Sequence, residues 1–429
     1  MPAARRTYLF YRDVDFVPYL VSLAAVGGLT WAALPYAWVR GSVAVALAFL
    51  AALFWRKHGA RLEPRSVGLL LRGLGRYPWS LALRLLDGWA ISAQLALGFA
   101  VALGVEAGVR HVAGPDSLWL TPFPALWCFA VVFGALTAYR TVVLLAHLRK
   151  ARHVRQVLEG SSWARELKGL STWAHLVHAW VTGELATLAF FLPSLLFWQL
   201  TEPTCVRELV LLALGAGAIL ASARGLDTRA EVPASRSLRV AVALVVPSGK
   251  AAEREGGLTH GADHASRFGF TLFHGHHHDA VPCALVGGPG VGLLEAFDNG
   301  LLYLPYLGSA TVSLLAFGAY AVIDMLFHQY VPGVFPYTRA VLSFQVHHVA
   351  HHFFSLRPVS VNARYGFDVG AGYRPDNAVT RWFLETAKAH EPVPVDVSDR
   401  FLRLTLAEPM VVTPEEVARI DAHARGAVA

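Results

Sequence analysis

The stretch that decides the fold runs from Thr172 to Gln199 and reads TWAHLVHAWVTGELATLAFFLPSLLFWQ. A helix needs about 20 predominantly apolar residues to cross the roughly 30 Å hydrocarbon core of a bilayer. This run is longer than that, and its only ionisable groups are His175, His178 and Glu184. Working outward, comparable apolar runs lie near 15–38, 41–55, 88–109, 119–146, 208–223, 291–307 and 311–327. Of the 429 residues, 55% are hydrophobic and 16% charged, whereas soluble domains carry about 25% charged residues. Mean hydropathy is +0.44. The expected fold is all-α: a polytopic helical membrane protein with about eight spans in four hairpins. Apart from His175, His178, Glu184 and Asp324, the spans read as nearly free of ionisable groups.

The net charge of +7 is distributed by loop. Arg56, Lys57, Arg61, Arg65, Arg72, Arg76 and Arg84 fill the segment before the third span. Arg149, Lys150, Arg152, Arg155, Arg165 and Lys168 precede the fifth, and Arg224, Arg229, Arg236, Arg239, Lys250, Arg254 and Arg267 precede the seventh. The alternate turns hold only Arg40, Arg110 and Arg207, with none between 307 and 311. The positive-inside rule then puts the basic loops and both termini in the cytoplasm, and it accounts for the charge without a nucleic-acid partner. The N-terminal run has no small-residue cleavage site and reads as a first span, not a removable signal. Cys128, Cys205 and Cys283 are odd in number and far apart, so neither a disulfide framework nor a CxxC metal site is expected.

Three regions follow from this layout. Residues 1–150 form an N-terminal membrane region of about four spans. Residues 151–390 hold the hairpins 172–223 and 291–327 with the histidine-rich segments 256–290 and 328–390. Residues 391–429 form a cytoplasmic tail, in which TPEEVARIDAHAR from Thr413 reads as a capped helix. The run 237–249 is apolar but too short to span and reads as a strand or a half-inserted element.

Nineteen histidines are present, and those between His260 and His352 are ordered. His260 and His264 make an HxxxH box. His274, His277 and His278 make HxxHH, with His276 off phase. After the next hairpin come His328 and then His347-His348-Val-Ala-His351-His352. The second HxxHH is His348, His351 and His352, and His347 can replace or supplement His348. Residues at i, i+3 and i+4 share a helix face, so each box projects its imidazoles together. The triplets, the doublet and His328 supply more imidazoles than one metal can bind, which implies two ions. Neutral imidazole suits iron, zinc, copper and nickel, whereas calcium and magnesium prefer oxygen. A metal-buffering loop would scatter its histidines without helical phase; these keep phase among Phe, Leu and Val. By topology every box falls on the cytoplasmic side, in a helical histidine-rich cap. His175 and His178 read as interhelical hydrogen-bonding groups, while His58, His111, His147, His153, His390 and His423 read as surface or interfacial.

The order and spacing of these boxes resemble the fatty acid hydroxylase superfamily, which includes sterol desaturases and C4-methylsterol oxidases. That family runs HxxxH, a gap of about ten residues, HxxHH, a transmembrane hairpin, an isolated His and HHxxHH. Asn362-Ala-Arg-Tyr365-Gly366 and Arg381-Trp382-Phe383 look like a loose version of its tail. The resemblance covers roughly 172–390 and leaves 1–150 unaccounted for. Residues 237–255 intervene before the first box, and Pro332 stands where some members carry a second histidine. The resemblance implies two iron ions (Fe2+) with O2 as co-substrate, and hydroxylation or desaturation of a C–H bond in a lipid, sterol or other hydrophobic substrate. Asp263, Asp279 and Asp324 would then accept the free ring N–H of neighbouring ligands and orient them. No haem or flavin motif is evident, so electrons would come from an external ferredoxin- or cytochrome-type donor with its reductase, docked on the basic loops. The composition suggests a bacterial inner membrane. The rival from another class is a His-rich membrane metal transporter or sensor, which needs ionisable groups along several spans. A metallohydrolase is disfavoured by the lack of HExxH.

Overall fold

The computed structural model describes residues 16–58, 89–159, 169–225, 292–302 and 308–315, together with the isolated positions Gly68, Leu71, Gly75 and Pro78. Among these residues the architecture is helical. The elements are α1 (Phe16–Ala33), α2 (Ala37–His58), α3 (Trp89–Ala113), α4 (Ala125–Arg149), α5 (Ala151–Glu159), α6 (Thr172–Thr201), α7 (Cys205–Gly225) and α8 (Leu293–Leu302), followed by a helical turn over 310–315. Extended pairing is limited, among the described residues, to one bridge between Pro122 and Thr204.

Four of these helices are long and apolar enough to cross a membrane: Ala37–Lys57, Ala96–Ala113, Ala125–Arg149 and Thr172–Thr201. With no water in the hydrocarbon, backbone groups must be satisfied within the segment, and a helix does this alone. On α2, Trp38 is 73% exposed at one end and Trp55 is 52% exposed at the other. They are about 25 Å apart at 1.5 Å per residue. Outward tryptophans at that separation match the two interfacial belts of a bilayer-spanning helix. The molecule is an all-helical membrane protein in its described part.

The α1–α2, α3–α4 and α6–α7 turns and Gly308, which follows α8, meet at one end of the bundle, joined by hydrogen bonds that local sequence explains. Arg40 donates to the carbonyls of Leu34 (2.7 Å) and Trp31 (2.8 Å), closing the α1–α2 turn, and its guanidinium stacks 4.6 Å from the Trp31 ring. Gln199 on α6 reaches the Ala33 carbonyl. Phe123 N donates to Pro203 O (2.7 Å) and Cys205 N to Thr121 O (3.0 Å), tying the α3–α4 turn to the α6–α7 turn. Trp198 Nε1 donates to Gly308 O (3.1 Å), bringing in the segment that leads into the helical turn over 310–315. The three turns are those that hold only Arg40, Arg110 and Arg207 in the sequence.

Two helix starts differ from expectation. The fourth span begins at Ala125, not near 119, because Pro122 and Pro124 interrupt the chain and Ser117 caps a separate 3-10 turn over Leu118–Leu120. The second begins at Ala37, since Arg40 closes the preceding turn from inside the helix.

The core sits around α6, which packs against α1, α2, α4, α5 and α8. Ser171 caps its start, accepting from Ala174 N at 3.2 Å. Its end is a left-handed Glu202 (φ 42°) followed by Pro203, which cannot continue a helix. Tyr19, Phe54, Phe129, Phe190, Phe191 and Leu195 fill the surrounding cluster. Inside α6, Pro193 lacks the N–H that would bond Ala189 O. Gly300 of α8 packs at that place: a Cβ there would overlap the Phe190 carbonyl oxygen and lie 3.2 Å from the Pro193 ring. Only glycine allows the two backbones to approach so closely.

Candidate functional site: the histidine boxes and a buried polar seam

The ten histidines expected to hold metal, His260, His264, His274, His277, His278, His328, His347, His348, His351 and His352, lie outside the described residues, as do Asp263, Asp279 and Asp324. The described residues contain no group of three or more His, Cys, Asp or Glu side chains placed to share a metal ion. They hold the scaffold that leads into those segments, and three polar clusters built into it.

The first cluster joins α4 to α6. Arg140 is 0% exposed and donates through Nη1 to Glu184 Oε1 at 2.9 Å and through Nη2 to Thr187 Oγ1. Thr137 Oγ1 donates to the other Glu184 oxygen at 2.6 Å. Thr187 in turn donates to Gly183 O at 2.9 Å. Arg140 has about 22 Å of helix on one side and about 14 Å on the other, so the pair lies deep in the span. Taking two charges out of water costs several kcal/mol per ion, and close pairing with added hydrogen bonds is what offsets it. His147 is buried two turns further along α4, with Nδ1 2.8 Å from Val143 O. His175 and His178 are buried on α6.

The second cluster centres on Glu208, buried in the first turn of α7. Its carboxylate accepts from Ser309 Oγ (2.9 Å), Ala310 N (3.0 Å), Thr311 N (2.9 Å) and Thr311 Oγ1 (3.0 Å). A carboxylate at a helix start satisfies its orphan N–H groups and complements its dipole. Ser309 Oγ also caps Val312 N at 3.2 Å. Glu208 thereby fixes where the helical turn over 310–315 begins. Glu295 caps α8 in a similar way, accepting from Gly292 N at 3.0 Å.

The third cluster ties α3 to α7. Arg207 Nε donates to Glu106 Oε2 at 2.6 Å and Nη1 to Thr201 O at 2.9 Å. Arg110 lies 3.5 Å from the other Glu106 oxygen. A cavity of about 450 Å³ opens beside Leu103, Glu106, Ala107, Arg110 and His111, all on one helix.

These clusters correct two expectations. The spans are not nearly free of ionisable groups: Arg140 on α4, and Glu295 and Asp298 on α8, are buried there as well. His147 is buried, not interfacial. For Arg140 the signal was available. An arginine within an apolar run calls for a partner, and Glu184 in the next long run is the carboxylate that answers it. Glu184 engages in interhelical hydrogen bonding with Thr137 and Arg140, the role the sequence suggested for its neighbours His175 and His178.

Fold and clusters together define an all-helical membrane protein with a polar seam in its interior. Compared with known proteins, the chain matches no family model, no curated protein and no solved structure.

Proposed function

We propose that the chain is a membrane di-iron oxygenase that hydroxylates or desaturates a C–H bond of a lipid, sterol or other hydrophobic compound. The observation that carries this reading is the ordered set of boxes, His260/His264, His274/His277/His278, His328 and His347/His348/His351/His352, interrupted by one hairpin. The donor set fits iron, because neutral imidazoles leave the ions cationic with positions open for O2. When bound, the iron would supply oxygen activation: one oxygen atom goes to substrate or both go to water, with two external electrons and two protons completing the balance. The protein residues hold the ions, orient the imidazoles through Asp263, Asp279 and Asp324, and keep water from a site facing the bilayer. The apolar spans give a hydrophobic substrate its approach. The electron donor is external, of ferredoxin or cytochrome type, and the basic loops suit an acidic one. The reading places the boxes on the cytoplasmic face of a bacterial inner membrane.

Lipid profiling of cells with and without the gene tests the reaction class. The expected outcome is a compound heavier by one oxygen or lighter by two hydrogens. Identical lipid profiles in cells making active and box-mutated protein would count against it.

One observation favours a second reading, a membrane metal transporter or sensor. The buried Arg140, His175, His178, Glu295 and Asp298, with the partly buried Glu184, put more ionisable groups inside the bundle than an inert scaffold requires. Metal uptake into proteoliposomes separates the two: the oxygenase reading expects no flux above protein-free vesicles.

A further inference from the structure

Arg140 has more hydrogen-bond capacity than its neighbours use. A guanidinium carries five N–H donors and no acceptor. Nη1 serves Glu184 and Nη2 serves Thr187, while Nε is buried with no hydrogen-bond partner. Trp180 Nε1 is likewise buried with no partner. Trp180 lies one turn before Glu184 on α6. A donor buried without an acceptor costs about 1–3 kcal/mol. Both unpaired donors belong to residues next to Glu184, Arg140 as its ion-pair partner across from α4 and Trp180 one turn before it on α6, and they ask for an oxygen from outside the scaffold.

The way in follows from the burial pattern of α6. Positions Trp173, Val177, Trp180 and Glu184, spaced four, three and four apart, share one helix face and are only partly covered, whereas residues 185–195 are all buried. That face runs from the Thr172 end of the helix up to the ion pair and stops there. Charge selects what fits. Glu184 already balances Arg140, so the cluster is neutral as built. An anionic head would add an uncompensated charge within the bilayer, at the cost that burying any unpaired charge carries. A neutral oxygen acceptor adds hydrogen bonds and no charge.

We propose that Arg140 and Trp180 form an intramembrane subsite for the neutral oxygen head, hydroxyl or carbonyl, of a long-chain hydrophobic compound lying along the α6 face. The subsite does not depend on the iron reading. Its failure would leave the histidine boxes untouched, and theirs would leave it standing.

The test uses the full-length protein in phosphatidylcholine nanodiscs. It is photolabelled with diazirine-bearing hexadecanol or with the matching hexadecane sulfonate, and labelled peptides are mapped by mass spectrometry. The alcohol is expected to label α4 and α6 about tenfold more than the sulfonate, whose uncompensated charge opposes binding by about 1.4 kcal/mol. Glu184→Gln unbalances the guanidinium and should invert that preference, which a merely structural role would not do. Trp180→Phe keeps the ring and removes the donor, so it should cut alcohol labelling severalfold at unchanged melting temperature. Equal labelling by both probes in the wild-type protein, or label spread evenly over α1, α2 and α3, overturns the proposal. So does an unchanged preference in folded Glu184→Gln.

Discussion

Two spans of similar hydropathy occupy opposite places in this molecule. The apolar window of α6 averages 1.5 and is 78% buried, whereas that of α3 averages 1.3 and is 11% buried among the described residues. Apolar length decides whether a helix can cross a membrane, because lipid and protein interior are about equally apolar. It does not decide which spans lie inside the bundle. Polar content does: α6 carries Glu184 and Thr187, which take hydrogen bonds from Thr137 and Arg140 of α4, partners that lipid cannot supply. On α3 the charged groups Glu106 and Arg110 sit near the end, where Arg207 and the turns are within reach.

The contrast breaks most visibly at Gly300. Replacing it with valine drives a side chain into the Phe190 carbonyl on α6, and we expect several kcal/mol of destabilisation, seen as loss of monodisperse protein in detergent. Next comes Arg140→Met, which leaves the largely covered Glu184 carboxylate without its cation. The expected cost is about 3–5 kcal/mol. The double variant Arg140→Met with Glu184→Leu should recover most of it, read as melting temperature in detergent. Glu208→Ala removes the acceptor shared by Ser309, Ala310 and Thr311, and should cost about 1–3 kcal/mol. The smallest effect is expected on the open face of α3: Leu97→Ala or Val105→Ala should change stability within about 0.5 kcal/mol. A large loss there would mean that α3 is as tightly enclosed as α6.

Much of the scaffold was legible before any coordinates. The run 172–199 became α6, and the charge-poor turns holding Arg40 and Arg207 are the ones that gather at one end. Their arginines close turns by binding backbone carbonyls, a role that spacing alone does not reveal. Helix starts were less legible where prolines 122 and 124 and the Ser117 cap break an apolar run that hydropathy reads as continuous. The polar seam was half legible. Glu184 stood out, but its partner Arg140 comes from another span, 44 residues earlier, and pairing across spans depends on packing that local pattern does not carry. The glycine at 300 looked like any other until α8 met the Pro193 turn of α6. The histidine boxes are legible as spacing and as chemistry, and their residues lie outside the described structure, so they rest on sequence.

The central claim is a two-iron site held by those boxes, and metal analysis of purified full-length protein addresses it most directly. The account predicts two iron ions per chain in the wild-type protein, with His274→Ala, His348→Ala or His351→Ala each lowering iron content and oxygenation of the lipid substrate together. Full iron content and full activity in all three variants, or wild-type protein that takes up no iron, would contradict it.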